Sequence, residues 1–284
     1  MTDVIKTTSQ KIRSFDGAPL YVETHQVVDK PVFDLVLIHG LTGDTSAFHW
    51  VIKGLLVEKK VPVRCITFDL RGHGWSGVTF PTGSQNLINV LAQDLKAVCE
   101  QCAERPFFLA GQSLFGLVLS EYLCFENKPE PTQSILISPA ISSPPFSIRR
   151  DWWFQVLVKA SRTAKLHRKK RTPEDHLKHR GSFDYSPSRI YSDIIYMGLK
   201  KYFLFWMSLF GSKCRSFDVL DQPNIHYIYG KNDFIVPAYF QKKFLRQHPR
   251  TKGYQIPGNH NAIVNSPQPI IDLMSQIFRQ SLPA

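Results

Sequence analysis

Ser113 ends an apolar run, Phe107-Phe-Leu-Ala-Gly-Gln-Ser113-Leu-Phe-Gly116, and Asp233 and His260 follow it in that order. A serine hydroxyl is a poor nucleophile at neutral pH. It needs a base to take its proton, and the base needs a third group to fix its tautomer. A Ser on a sharp turn between strand and helix exposes its Oγ and aims the next backbone N–H, here that of Leu114, at a developing oxyanion. Taken alone, the same segment also reads as an ordinary strand-to-helix turn with Ser113 as N-cap. Asp233 follows the strand ending Tyr229-Gly-Lys-Asn, and His260 follows a short strand ending in Pro257-Gly-Asn. Active residues of parallel sheets collect beyond the carboxyl ends of the strands, and all three candidates fall there. A fourth strand end, Leu37-Ile-His39-Gly40-Leu41-Thr-Gly43, offers the Leu41 N–H as a second oxyanion donor, with His39 and Gly40 beside the substrate.

The elements that must position these residues alternate. Short apolar runs at 34–40, 64–70, 107–112, 134–139 and 225–230 predict buried parallel strands. Apolar spacing at 46–59, 85–103, 114–125, 238–247 and 268–281 predicts helices. Residues 4–15 and 19–28 flank Asp16-Gly17 and predict an antiparallel hairpin at the sheet edge. After Pro139 the pattern breaks into two aromatic stretches, Trp152 to Val158 and Tyr202 to Phe210. The chain therefore divides into an α/β core, 1–141 and 214–284, interrupted by a helical cap at 142–213.

These segments resemble the α/β-hydrolase superfamily over nearly the whole chain: the His39-Gly40 loop, Asp69-Leu-Arg-Gly-His-Gly-Trp-Ser76, the turn at Ser113, the Asp233 segment and His260. They are most similar to its monoacylglycerol lipase, lysophospholipase and serine aminopeptidase-like branch, whose helical cap enters at the same point. The resemblance implies the α/β-hydrolase fold and a Ser113–His260–Asp233 triad acting on esters without metal or cofactor. It also implies that Asp69–Ser76 is a supporting turn in which His73 is structural. One position departs from the G-x-S-x-G pattern, where Gly stands two residues after the nucleophile. Here Phe115 stands there and Gly116 comes one later. Phe115 shifts the elbow, narrows the acyl pocket or packs beneath the helix.

A cap rich in aromatics, Trp152 and Trp206 among them, favours a substrate with a hydrophobic acyl group, although such residues also build a cap's own core. Of the formal net charge of +12, most lies in residues 142–201, with fourteen Lys or Arg against five Asp or Glu. The cluster Lys165-Leu-His-Arg-Lys-Lys-Arg171 reads either as a solvated helical face or as a contact for an anionic membrane. No nucleic-acid-binding motif accompanies the charge. The N-terminus lacks a secretory pattern, which predicts a cytoplasmic protein, and the odd set of five cysteines predicts reduced thiols. A Ser nucleophile argues against dehalogenase and epoxide hydrolase chemistry. Aminopeptidase, acyltransferase and carbon–carbon hydrolase chemistry remain open on the same residues, as does a non-catalytic binding protein.

Overall fold

Strands β3 (Phe33–Ile38), β5 (Phe107–Gln112) and β7 (Ile225–Gly230) are buried at every position. Nearly unbroken apolar runs of this kind suit parallel strands covered on both faces. In the computed structural model they join β4 (Val63–Phe68), β6 (Gln133–Ile137) and β8 (Lys252–Ile256) in parallel, while β1 (Lys6–Arg13) and β2 (Pro19–Gln26) form the expected antiparallel hairpin at one edge. The sheet order is β1-β2-β4-β3-β5-β6-β7-β8. The structure describes residues 4–77, 86–141 and 216–281, together with 170–205 apart from 179, 182, 183, 185, 200 and 204.

Alternation along β3 builds two core layers. Val36 and Ile38 pack with α2 (Leu87–Cys102) and α3 (Phe115–Leu123). Leu35 and Leu37 pack on the opposite face with α1 (His49–Lys53) and the C-terminal helix Pro267–Ser281. The helix expected over 46–59 is less regular than its spacing suggested: a 3-10 turn, Thr45–Phe48, leads into α1, which widens to a π-type turn at Gly54–Glu58. Among the described residues, Cys65, Cys99, Cys102 and Cys124 form no disulfide.

Between β6 and β7, the described residues form α4 (Pro173–Leu177), α5 (Pro187–Met197) and the 3-10 turn Phe217–Leu220, with no strand among them. Trp152 to Val158, Trp206 and Cys214 lie outside the described residues. The described end of the basic cluster is not a solvated face. Lys170 pairs with Glu23, and Arg171 donates to the Thr42 carbonyl and to Asp193. Both cations find buried or half-buried acceptors, so they fasten the insertion to the sheet's edge hairpin and to the loop after β3. No helix among the described residues is long and apolar enough to cross a membrane.

One buried charge network holds the loop after β4. Arg71 is 1% exposed and pairs with Asp94 of α2 at 2.7 Å and with Asp16 of the hairpin turn at 2.6 Å. Ser14 Oγ donates to the same Asp94. Removing one partner of such a pair leaves the other charge buried without compensation. Arg71→Leu should therefore destabilise the protein by about 3–5 kcal/mol in urea unfolding, and adding Asp94→Leu should recover part of that loss.

Candidate active site

Ser113 lies between β5 and α3 with a backbone φ of 53°, a left-handed conformation that non-glycine residues resist. Hydrogen bonds pin it there. Its N–H donates to the Ile137 carbonyl (3.0 Å), and its own carbonyl accepts from Gly116 (3.0 Å) and Ala140 (2.7 Å). A Cβ on residue 116 would overlap the Ala140 carbonyl, so this turn needs a glycine one place later than the usual pattern has it. Phe115 takes the third of the expected alternatives. It is fully buried beneath the helix, and its Cβ and ring lie where a side chain on Gly111 would be.

The loop after β7 presents Asp233 and the loop after β8 presents His260. The imidazole Nδ1 lies 3.1 and 3.0 Å from the two Asp233 oxygens. A carboxylate only accepts, so Nδ1 carries the proton and Nε2 keeps its lone pair for another proton. The N–H groups of Ile235 and Val236 and the Gln241 amide also donate to the Asp233 carboxylate, whose side chain is fully buried. Gln112, the residue before Ser113, donates to the His260 carbonyl at 2.7 Å. The fold thus ties the strand bearing Ser113 to the loop bearing His260.

The β3 loop completes the cluster. Gly40 lies so close to Ser113 that a Cβ there would touch the serine Cβ at 3.4 Å. Leu41, one residue on, therefore passes beside Ser113, and Leu114 heads α3. His39, expected beside the substrate, is 1% exposed and points inward: its Nδ1 donates to the Gly40 carbonyl (2.7 Å) while its Nε2 accepts from the Leu70 N–H (3.0 Å). His73 contacts the Leu41 and Arg71 carbonyls, and its ring lies 5.0 Å from that of His39. The 69–76 segment thus buttresses the 39–41 loop. Burial, with the neighbouring His73, lowers the His39 pKa to about 3, and burial lowers that of His73 to about 4. Burial, with the nearby Asp44, raises the Asp69 carboxyl to about 7.

Two contributors carried no sequence signal. Gln112 is an unconstrained position of the motif. Asp184, in the insertion, is buried, and its Oδ2 accepts from the Phe234 N–H (3.1 Å) and the His260 N–H (3.3 Å). It joins the loop of the acid to that of the imidazole. Trp152 and Trp206, expected to touch substrate, lie outside the described residues.

A protonated His39 would turn Nε2–H against the Leu70 N–H, so only the neutral ring fits. The unfolded chain takes up a proton near the ordinary value of 6.5 that the folded ring refuses until about 3. This contribution is full above the unfolded value and is lost as pH falls, by about 1.4 kcal/mol per pH unit. Urea unfolding of His39→Gln should show a shallower loss of stability than wild type between about pH 6 and about pH 5. Equal slopes would mean that another group governs that range.

Comparison with known proteins agrees with this architecture. A thermophilic esterase from Thermogutta terrifontis superposes with a TM-score of 0.70 at 16% identity, covering 96% of this chain and 99% of that one. An esterase from Exiguobacterium antarcticum gives 0.67 at 17% identity, covering 95% and 100%. In sequence, the chain is 32% identical over 109 residues to a proline iminopeptidase from Lactobacillus acidophilus. That match spans 38% of this chain and only 36% of the relative's length. The family model described as "Alpha/beta hydrolase family" matches residues 35–273, which takes in every strand end that forms this site. With that span and this sheet, the chain belongs to the alpha/beta hydrolase family.

Proposed function

We propose that the protein is a serine hydrolase cleaving carboxylic esters with an apolar acyl group, of the monoacylglycerol or lysophospholipid kind. The observation that carries this reading is the His260–Asp233 contact, at 3.0 Å, on a loop that Gln112 ties to the left-handed turn of Ser113. In this reading Ser113 Oγ attacks the ester carbonyl carbon while His260 Nε2 takes the hydroxyl proton. Negative charge collects on the former carbonyl oxygen, where the N–H groups of Leu41 and Leu114 meet it. The carbonyl re-forms as the bond to the leaving alcohol breaks, and the alcohol departs with the proton from His260. Water, deprotonated by the same imidazole, then releases the acid. Asp233 steadies the imidazolium in each half-reaction and stays ionised. The preference for an apolar acyl group rests on the aromatic sequence of the insertion, because its described aromatics Phe203 and Phe205 are themselves buried and Phe205 belongs to the core.

A second reading rests on the iminopeptidase similarity and on Asp184. Its Oδ1 is buried and makes no hydrogen bond among the described residues, while its Oδ2 sits on the His260 N–H. A carboxylate so placed would pair with the free amine of a peptide substrate.

A fluorophosphonate probe should label the wild type and fail to label Ser113→Ala, since labelling requires an activated hydroxyl. Ser113→Ala and His260→Ala should each lower kcat on p-nitrophenyl esters by about three orders of magnitude or more. Normal turnover by His260→Ala would rule out this base. Faster cleavage of prolyl anilide than of any ester in a graded acyl series would favour the second reading.

A further inference from the structure

Among the described residues, four of the large apolar side chains that reach solvent fall within seven positions directly after Asp233. Phe234 is 52% exposed, Ile235 41%, Tyr239 66% and Phe240 55%. Folding leaves Tyr239 and Phe240 out because the helix that carries them, α6 (Ala238–Gln247), turns Gln241 and Phe244 toward the core. The Tyr239 and Phe240 rings pack edge to face, 5.4 Å apart, in its first turn. Lys242, Lys243 and Arg246 follow within two turns, all exposed, and none has a carboxylate partner among the described residues. From Phe234 to Ile271 the chain contains no Asp or Glu. Exposed aromatics at one end of a helix, with uncompensated cations beside them, match the layering of a bilayer surface. Rings settle at headgroup depth, and long basic side chains reach back to the lipid phosphates.

We propose that residues 234–246 dock on an anionic phospholipid bilayer, with Tyr239 and Phe240 entering the interface and Lys242, Lys243 and Arg246 meeting the phosphates. The basic insertion was the other candidate for this role, but the described end of its cluster, Lys170 and Arg171, is turned inward onto Glu23 and Thr42. The 234–246 surface begins one residue after Asp233, so a docked molecule would bring its ester-cleaving site to the bilayer. Docking itself does not depend on which bond is cleaved.

Vesicle flotation tests this with the full-length Ser113→Ala protein, which leaves the lipid intact. It should float with phosphatidylcholine–phosphatidylglycerol vesicles at low salt, remain behind with phosphatidylcholine alone, and be released by high salt. Tyr239→Ser/Phe240→Ser and Lys242→Glu/Lys243→Glu should each reduce partitioning by about tenfold or more, with unfolding midpoints near that of the parent. Absence of flotation by the parent, undiminished flotation by both double variants, or equal binding to neutral vesicles would overturn the proposal. So would a parent that sediments as a dimer without lipid and becomes a monomer on Tyr239→Ser/Phe240→Ser, since the face would then join two copies of this chain.

Discussion

The left-handed backbone of Ser113 is the constraint on which the rest of the site depends. It costs about 1–3 kcal/mol and persists only where neighbours over-determine it. Here they come from separate parts of the chain. Ile137 must stand beside Gln112 in the β5–β6 register for its carbonyl to accept from Ser113. Residue 116 must carry no side chain, and Gly111 must leave room for Phe115. Once these are met, the serine side chain is thrown clear of both strand and helix, and Gln112 is left aimed at the loop of His260.

Around that turn the protein arranges buried polar groups held by matched donors and acceptors. His39 is neutral because its two ring nitrogens face one acceptor and one donor, a pairing only the uncharged tautomer satisfies. Asp233 is surrounded by donors and points its remaining capacity at one imidazole nitrogen. In the reaction proposed for this site, such groups would need no rearrangement as charge developed beside them, which is how fixed dipoles lower a barrier more effectively than mobile water does.

The fold and the order of Ser113, Asp233 and His260 were legible because both rest on local signals. Buried runs mark strands, and small or flexible residues mark the turns where those strands deliver side chains. The bend over 45–58 was only partly legible: apolar spacing fixes which face is buried but not how tightly the backbone winds. Asp184, Gln112 and the inward turn of Lys170 and Arg171 were not legible at all. Each acts through a partner 22 to 148 residues away, for Arg171–Asp193 and Gln112–His260 respectively, and no periodicity encodes such a meeting. Standing next to Gly40 suggests a place beside the substrate for His39, yet one residue along an extended backbone reverses the direction of a side chain, and the ring is buried inward.

Asp44 accepts from the Ser46 N–H at the start of the turn after β3, and it also accepts the Arg171 backbone N–H from the insertion, at 2.9 Å. Burial works against its ionisation, but hydrogen bonds from His176, Ser46 and Arg171 hold its carboxyl well below the usual carboxylate range. The insertion is therefore not an interchangeable module. A graft from a relative that brought no donors to this carboxylate would leave a buried negative charge held by Ser46 alone, close to the loop that flanks Ser113. Swapping such segments to change specificity therefore has to supply a donor to residue 44 or exchange that residue with them.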